Sequence, residues 1–380
     1  MSMFSTTGEL LTSWKSKCKK GPVEVSSISH TDEGLDSLLE ACAWEAAVQL
    51  SAELGYNDDM TLINRKYKQV LALMCLKRHE EALVSLGVIL GCTTVAPNME
   101  KYLMLHLFRV EIYIALGDER EAIMVIKELN RIRPSLADPM ARLGIDMCDI
   151  KLLLTKGNIK CALERLLRLL DDDYKEPEAA PVRLIILCDV VKALLLVGGL
   201  GYTAPYLQML RDVLASIEAG GHADGSKYRY MADMVHATVT FAHGDSAAAM
   251  TGYEACIARA TGLVPLPTEA AGSSTIRVMG AHVSFSQHDA RCLVMDAVNN
   301  LAVCALHSKD IKGAIDGLES LIQSDPPFYL QSTLIFNLCT MYELSSTPEL
   351  SDNRKRTLHM LTKEYGVTNL EWSSFRITIS

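Results

Sequence analysis

The side chains with the types and spacing for metal chemistry lie close together in the second half of the chain: His282, His288, Asp289 and Cys292. On a helix His288 and Cys292 are one turn apart, with Asp289 beside them, so three ligands could approach a common ion. His282, however, falls in irregular sequence and no second cluster accompanies it, so packing rather than metal binding is expected. Gly199, Gly201 and Ala204 spell GxGxxA, the outline of a turn that cradles a dinucleotide. That turn needs a strand before it and an acidic residue on the next strand. Here LLLV ends an apolar helix, and Glu218 is followed by the glycine-rich AGGHADGS. A glycine turn between two helices accounts for these residues. Gly220–Lys227 (GGHADGSK) misses the phosphate-loop spacing by one residue and follows a helix where a strand is required. The patterns HExxH and GxSxG are absent from the sequence. No catalytic, cofactor-binding or metal-binding residue is therefore expected, and no cofactor. Triads assembled in space leave no sequence trace. One enzymatic reading stays open, metal-dependent or small-molecule chemistry in 262–292, which would show as metal bound to the purified protein.

The elements that would have to position any such group are helices in a repeat. A small turn followed by an alanine recurs as KRHEEAL (77–83), LGDEREAI (116–123), KGNIKCAL (156–163), HGDSAAAM (243–250) and SKDIKGAI (308–315). In each, an apolar helix precedes the turn and another follows. Small residues are needed where two helices cross closely, and the turn needs Gly, Asp, Asn or Lys. In a register of about 34 residues with the small residue at position 20, one copy places Val110, Tyr113, Gly117, Ala122, Leu129 and Pro134 at favoured positions. The last copy does the same with Ala302, Ala305, Ala314, Leu321 and Pro326. The expected fold class is all-α, a tetratricopeptide-like solenoid of helical hairpins with one irregular insertion. A generic helical bundle is the alternative, and it lacks a fixed internal period.

Four segments organise the chain. Residues 1–34 read as a polar lead-in and 35–261 as the helical repeat solenoid, with helices expected at 36–54 and 63–77. The insertion 262–288 breaks the period: Pro265, Pro267 and Gly272 announce a loop, and TIRVMGAHVSF reads as extended. Residues 289–380 hold the C-terminal repeats and cap. The run Leu184–Leu200 is interrupted by Asp189 and Lys192 and is too short to span a bilayer, so it reads as a buried repeat helix.

Composition narrows the partner. The chain is 49% hydrophobic and 6% aromatic, with 17 Met and a net charge of −9. A phosphate backbone would require a concentrated basic face, so nucleic acid is excluded as the main partner. The one basic cluster, Lys15, Lys17, Lys19 and Lys20, reads as a solvated tail. The 11 cysteines are scattered without a CxxC pair, which points to a reducing compartment and to thiols packed as small apolar residues. In repeats of this type, positions 2, 5, 9 and 12 of the first helix line a groove. These are Met104, Leu107, Glu111 and Ile114, with Phe108 adjacent, then Gly144, Met147, Lys151 and Leu154 in the next copy. A clamp for acidic peptide tails would need Lys, Arg and Asn there. An apolar groove with methionine suits a helix or a broad protein surface. The superhelix closing on itself to bury these residues is the other possibility.

The stretch 298–346 carries residues that a generic repeat does not need. These are Asn299 and Asn300 before Ala302, Val303 and Cys304, the step Asp325-Pro326, Tyr329-Leu330, and FNLxTMYEL from Phe336 to Leu344. In these the chain resembles the subunit 12 family of the TRAPP (trafficking protein particle) complex. EACAWEAAVQLSAEL (40–54) is similar to that family's first solenoid helix. The resemblance implies a non-catalytic scaffold of a tethering and Rab nucleotide-exchange complex, working in ER-to-Golgi transport and autophagy. It implies a cytoplasmic location, peripheral to Golgi and intermediate membranes. Its partners would be other TRAPP subunits, large ones above all, and indirectly a Rab GTPase and membranes, with no nucleic acid and no small-molecule substrate. Family members often carry a long N-terminal extension, and functions residing there are not carried over. The candidate partner-binding residues are Met104, Phe108, Met147, Asn299, Asn300, Phe336, Asn337 and Tyr342. The Asn299–Asn300 and Phe336–Tyr342 motifs are expected to fix the geometry of the last repeats, with Asn capping carbonyls at a helix crossing. A tetratricopeptide adaptor of another assembly, ciliary or ubiquitin-ligase, is the alternative.

Overall fold

The structure, a computed structural model, describes residues 7–19, 21, 23, 26, 28–56, 58–92, 102–175, 179–220, 225–263, 276–278, 281–283, 286–367 and 370–376. Its helices are α1 (Thr7–Lys17), α2 (Asp32–Glu40), α3 (Trp44–Glu53), α4 (Asp59–Cys75), α5 (His79–Leu90), α6 (Leu103–Leu116), α7 (Glu119–Ile132), α8 (Pro139–Thr155) and α9 (Ile159–Arg168). They continue as α10 (Ala180–Leu196), α11 (Thr203–Ala219), α12 (Gly225–Ala242), α13 (Ser246–Leu263), α14 (Ser286–His307), α15 (Ile311–Ser324), α16 (Pro326–Tyr329), α17 (Ser332–Ser345) and α18 (Pro348–Glu364). Two three-residue strands, Ile276–Val278 and Ala281–Val283, pair antiparallel between α13 and α14. The chain divides into two compact units, residues 1–82 with 291–380, and residues 83–290.

One turn geometry builds the hairpins. A residue with left-handed φ ends the first helix at Cys42, Lys77, Gly117, Gly157, Gly198, Gly244 and Lys309. At Gly117 its amide donates to the Ile114 carbonyl and the next amide, of Asp118, donates to Tyr113. The same pair of bonds recurs at the other six, which satisfies carbonyls that the helix end leaves open. Five residues further on stands a small residue that is fully buried: Ala47, Ala82, Ala122, Ala162, Thr203, Ala249 and Ala314, none more than 1% exposed. Here the second helix crosses the first, and a larger side chain would push them apart. Asp118, Asp245 and Asp310 follow their left-handed residues and cap the next helix, each carboxylate accepting an amide three residues on.

Three expectations are corrected. Lys77, Gly117 and Gly157 stand 40 residues apart, and Gly198 another 41, so the repeat is longer than the register of about 34. The surplus lies in long first helices, such as the 17 residues of α8, and in connections such as the 3₁₀ turn Arg133–Ser135. The helix expected at 36–54 is two helices, because Cys42 takes φ +56° and closes α2. The polar lead-in contains α1, which buries Trp14 and lies against α18, with Lys15 paired to Glu364.

In the unit formed by residues 83–290, α6 to α8 share a core of Val110, Ala122, Val125, Leu129 and Ile145. A second core runs through α8 to α12, with Leu184, Ile186, Leu187, Val190 and Val191 all buried. These lie on several faces of α10, so its apolar run is core. Among the described residues no helix is long and apolar enough to cross a membrane. In the other unit, Leu35, Leu38, Ala47, Leu50 and Ala72 form the core of α2 to α4. Of the 262–288 insertion, the residues outside α13, the two strands and α14 lie outside the described ones.

Candidate functional site

Along α6, Met104, Leu107, Phe108, Glu111 and Ile114 recur at helical spacing on one side; on α8, Gly144, Met147, Cys148 and Lys151 face them. Between the two helices they line a cavity of about 230 Å³. Gly144 sets the approach: a Cβ there would stand 3.1 Å from Leu107 Cδ1. At the rim, Lys151 Nζ donates to Glu111 Oε1 at 2.6 Å, so these two charges are matched within the chain. Cys148 hydrogen-bonds the Gly144 carbonyl, and burial pushes its thiol up to about 12, which keeps it protonated and unreactive. The lining therefore offers mostly apolar contact, with Glu111 and Lys151 paired at its rim. Leu154, also expected in the groove, is 39% exposed and does not line the cavity.

The helix that carries this wall is anchored by a buried ion pair that sequence reasoning missed. Asp146 is fully buried in α8; Arg133 donates to it twice, at 2.8 and 2.7 Å, and Tyr174 donates its hydroxyl at 2.9 Å. Tyr174 reaches it because residues 169–173 widen into a π turn. The hydrogen bonds to Asp146 raise the Arg133 pKa, while burial and then the Asp146 charge raise that of Tyr174. A signal was present: Asp146 falls between Leu143 and Ile150 on the apolar stripe of its helix, where a carboxylate must find partners.

The C-terminal candidates occupy a different setting. Asn337 of α17 donates to Asn299 of α14 at 2.7 Å, a side-chain pair where a bond to a carbonyl was expected. Asn300 lies half-buried beside it. Tyr342 is fully buried and donates to Glu319 of α15 at 2.6 Å; burial first, then the Glu319 charge, raises its pKa well above the usual value. Phe336 is 43% exposed, with the Arg376 guanidinium 5.1 Å from its ring centroid. Glu343 accepts from Lys355 at 2.5 Å and from Arg376 at 3.0 Å. Burial works to raise the Glu343 pKa, and these two bonds outweigh it and lower the pKa. Thus Asn299, Asn337 and Tyr342 fasten helices together, while Met104, Phe108 and Met147 meet at one cavity.

Of the other near-motifs, residues 221–224 of GGHADGSK lie outside the described residues. Gly199 and Gly201 lie between α10 and α11, with no strand on either side. The side chains of His282, His288 and Asp289 lie outside the described residues. Among the described residues no group of three or more His, Cys, Asp or Glu is placed to hold a metal.

The geometry defines a class: helical-hairpin repeats of tetratricopeptide type, with a mostly apolar cavity between α6 and α8. Comparison with known proteins then points to a family. Over 68 residues, 18% of this chain, it is 38% identical to trafficking protein particle complex subunit 12 of Mus musculus. Over 51 residues, 13% of this chain, it is 47% identical to the subunit of that name from Homo sapiens. The matched stretches span 8% and 7% of those relatives' lengths, so the chain resembles TRAPP subunit 12 over a short region. No protein-family model matches the chain. Among solved structures, a Rap protein complexed with competence and sporulation factor has a TM-score of 0.48 at 13% identity, covering 90% of this chain and 92% of that one. A signal-transduction ATPase with a tetratricopeptide repeat sensor from Pyrococcus horikoshii has a TM-score of 0.44 at 14% identity, covering 88% and 52%. At these scores neither adds to the fold read from the helices themselves.

Proposed function

We propose that the chain is a non-catalytic scaffold of a TRAPP-type tethering complex, holding large neighbouring subunits through its helical hairpins. The observation that carries this reading is the 38–47% identity to TRAPP subunit 12, on a fold suited to partner binding. The role in ER-to-Golgi transport and autophagy, the indirect contact with a Rab GTPase and with membranes, and the cytoplasmic location beside Golgi membranes all follow from that assignment. The cavity of Met104, Phe108 and Met147 is the proposed contact with a neighbouring subunit. Its apolar lining and internally matched rim charges favour a greasy side chain on a partner helix. Asn299, Asn300, Phe336, Asn337 and Tyr342 act on partners through the geometry they give the last repeats.

The test is affinity purification of the tagged chain from its own cells with mass spectrometry of what accompanies it. Stoichiometric recovery of small TRAPP core subunits together with one or two large ones is expected. Recovery of a ciliary or ubiquitin-ligase assembly, or of the chain alone, overturns the assignment and leaves only the repeat fold.

A further inference from the structure

We infer that Gly144 holds the cavity between α6 and α8 open for one uncharged apolar side chain, of leucine to phenylalanine size, carried by a helix of a neighbouring subunit; this rests on the scaffold reading above. Glycine inside a helix is disfavoured against alanine, because it has more conformational freedom to lose. Gly144 lies well within α8, and its φ is not left-handed, so no turn calls for glycine. Nor does a close approach of backbones. At Gly252 of α13 an added Cβ would stand 3.0 Å from Ala237 Cβ and 3.7 Å from its Cα, so the backbone of α12 demands glycine there. At Gly144, among the described residues outside its own helix, such a Cβ would meet Leu107 Cδ1 alone, at 3.1 Å. That methyl ends a flexible side chain that lines the cavity, so it has room to give way. Gly87 and Gly317 are as free of neighbours but face solvent, whereas Gly144 faces the cavity. What this glycine supplies is empty space in a wall.

Size and charge select the occupant. The volume of about 230 Å³ falls below the roughly 300–1,000 Å³ of small-molecule sites and far exceeds the roughly 30 Å³ of one water. The two charged residues of the lining, Glu111 and Lys151, are paired with each other at 2.6 Å, so a charged group entering would meet no free counter-charge. A rim neutral in itself complements an uncharged side chain. Met104 and Met147 are unbranched and adapt to either a leucine or a phenylalanine. One such anchor seated in a pocket is what concentrates the energy of a helix contact.

Two measurements on the full chain test this. Gly144→Ala is expected to melt at or above the temperature of the unsubstituted chain, by up to about 2 °C, because the helix gains and Leu107 moves aside. A lower melting temperature would make the glycine a packing requirement and overturn the proposal. Gly144→Leu fills the space from α8. In quantitative co-purification it is expected to lose the large neighbouring subunits at least about tenfold, with Gly144→Ala losing less. Should Gly144→Leu fail to fold, Leu107→Trp fills the same space from α6, with the same loss expected. A folded, filled chain that keeps those subunits overturns the proposal. Met147→Glu, measured alongside, separates two kinds of failure. If it loses the subunits that Gly144→Leu keeps, the contact stands and entry of a side chain falls. If both variants keep them, the contact lies elsewhere. If the unsubstituted chain recovers no large subunit, the scaffold reading falls and the proposal with it.

Discussion

The cavity between α6 and α8 and the packing around α17 are made from similar helices and are finished in opposite ways. Around α17, polar side chains close on one another: Asn337 on Asn299 of α14, Tyr342 on Glu319 of α15, and Glu343 on Lys355 of α18 and on Arg376. At the cavity, Met104 and Met147 face an opening, and the fold is carried by their neighbours Gly144 and Asp146. The residues that mark the family resemblance, the 43% exposed Phe336 apart, are thus largely internal fasteners. The proposed partner surface lies in repeats whose sequence carries no such signature. Motif and contact surface need not coincide in a solenoid, because each hairpin must first specify its own packing.

The sharpest way to break this comparison is to remove the anchor beneath the cavity. Asp146→Ala removes both short bonds of Arg133 and the acceptor of Tyr174, leaving Arg133 only the longer pairing with Asp173 at 3.4 Å, and a loss of about 2–4 kcal/mol is expected by calorimetry. A loss under about 1 kcal/mol would show that α8 is held by apolar packing alone. Between α17 and α15, Tyr342→Phe deletes one hydroxyl from a buried pair and is expected to cost about 1–3 kcal/mol in denaturant titration. An unchanged midpoint would mean that Glu319 is satisfied by water and that the motif tyrosine serves only as bulk.

Smaller effects sharpen the same contrast. A double-mutant cycle of Asn299→Ala with Asn337→Ala should give a coupling of about 1 kcal/mol, and additive single effects would contradict a direct bond between them. Glu343 gives the smallest effect, and it depends on pH. Its folded pKa lies below the ordinary 4.5, so its contribution is present above that value and fades as the pH falls through the lowered one. Melting curves of the unsubstituted chain and of Glu343→Gln should differ at neutral pH and converge under acid. A constant difference across that range would assign the effect to shape rather than charge.

The hairpins were legible because the turn is written in residue types. Left-handed backbone selects Gly or a few polar residues, capping selects Asp, and the crossing selects Ala five positions later. Where those types are absent the reading failed. Cys42 takes the left-handed conformation without being glycine, so α2 and α3 read as one helix; the glycine turn at 198–201 was legible as a turn but not as a copy of the repeat, because its buried small residue is Thr203. The period of 40 escaped because connections tolerate added residues at little cost, so an assumed register drifts without breaking the apolar pattern. The cavity residues followed from helical register alone. The Asp146 anchor did not, since its partners Arg133 and Tyr174 lie 13 and 28 residues away and meet it only through tertiary packing.

The measurement that tests the account most directly is quantitative co-purification of TRAPP subunits with Met147→Glu, beside the unsubstituted chain at matched soluble level. Met147 is only partly buried, so the variant should melt within a few degrees of the unsubstituted chain. The account predicts that it loses its large neighbouring subunits by about tenfold or more, as a charge placed in an apolar contact requires. Retention of every subunit by the folded variant would contradict it and move the contact surface away from this cavity.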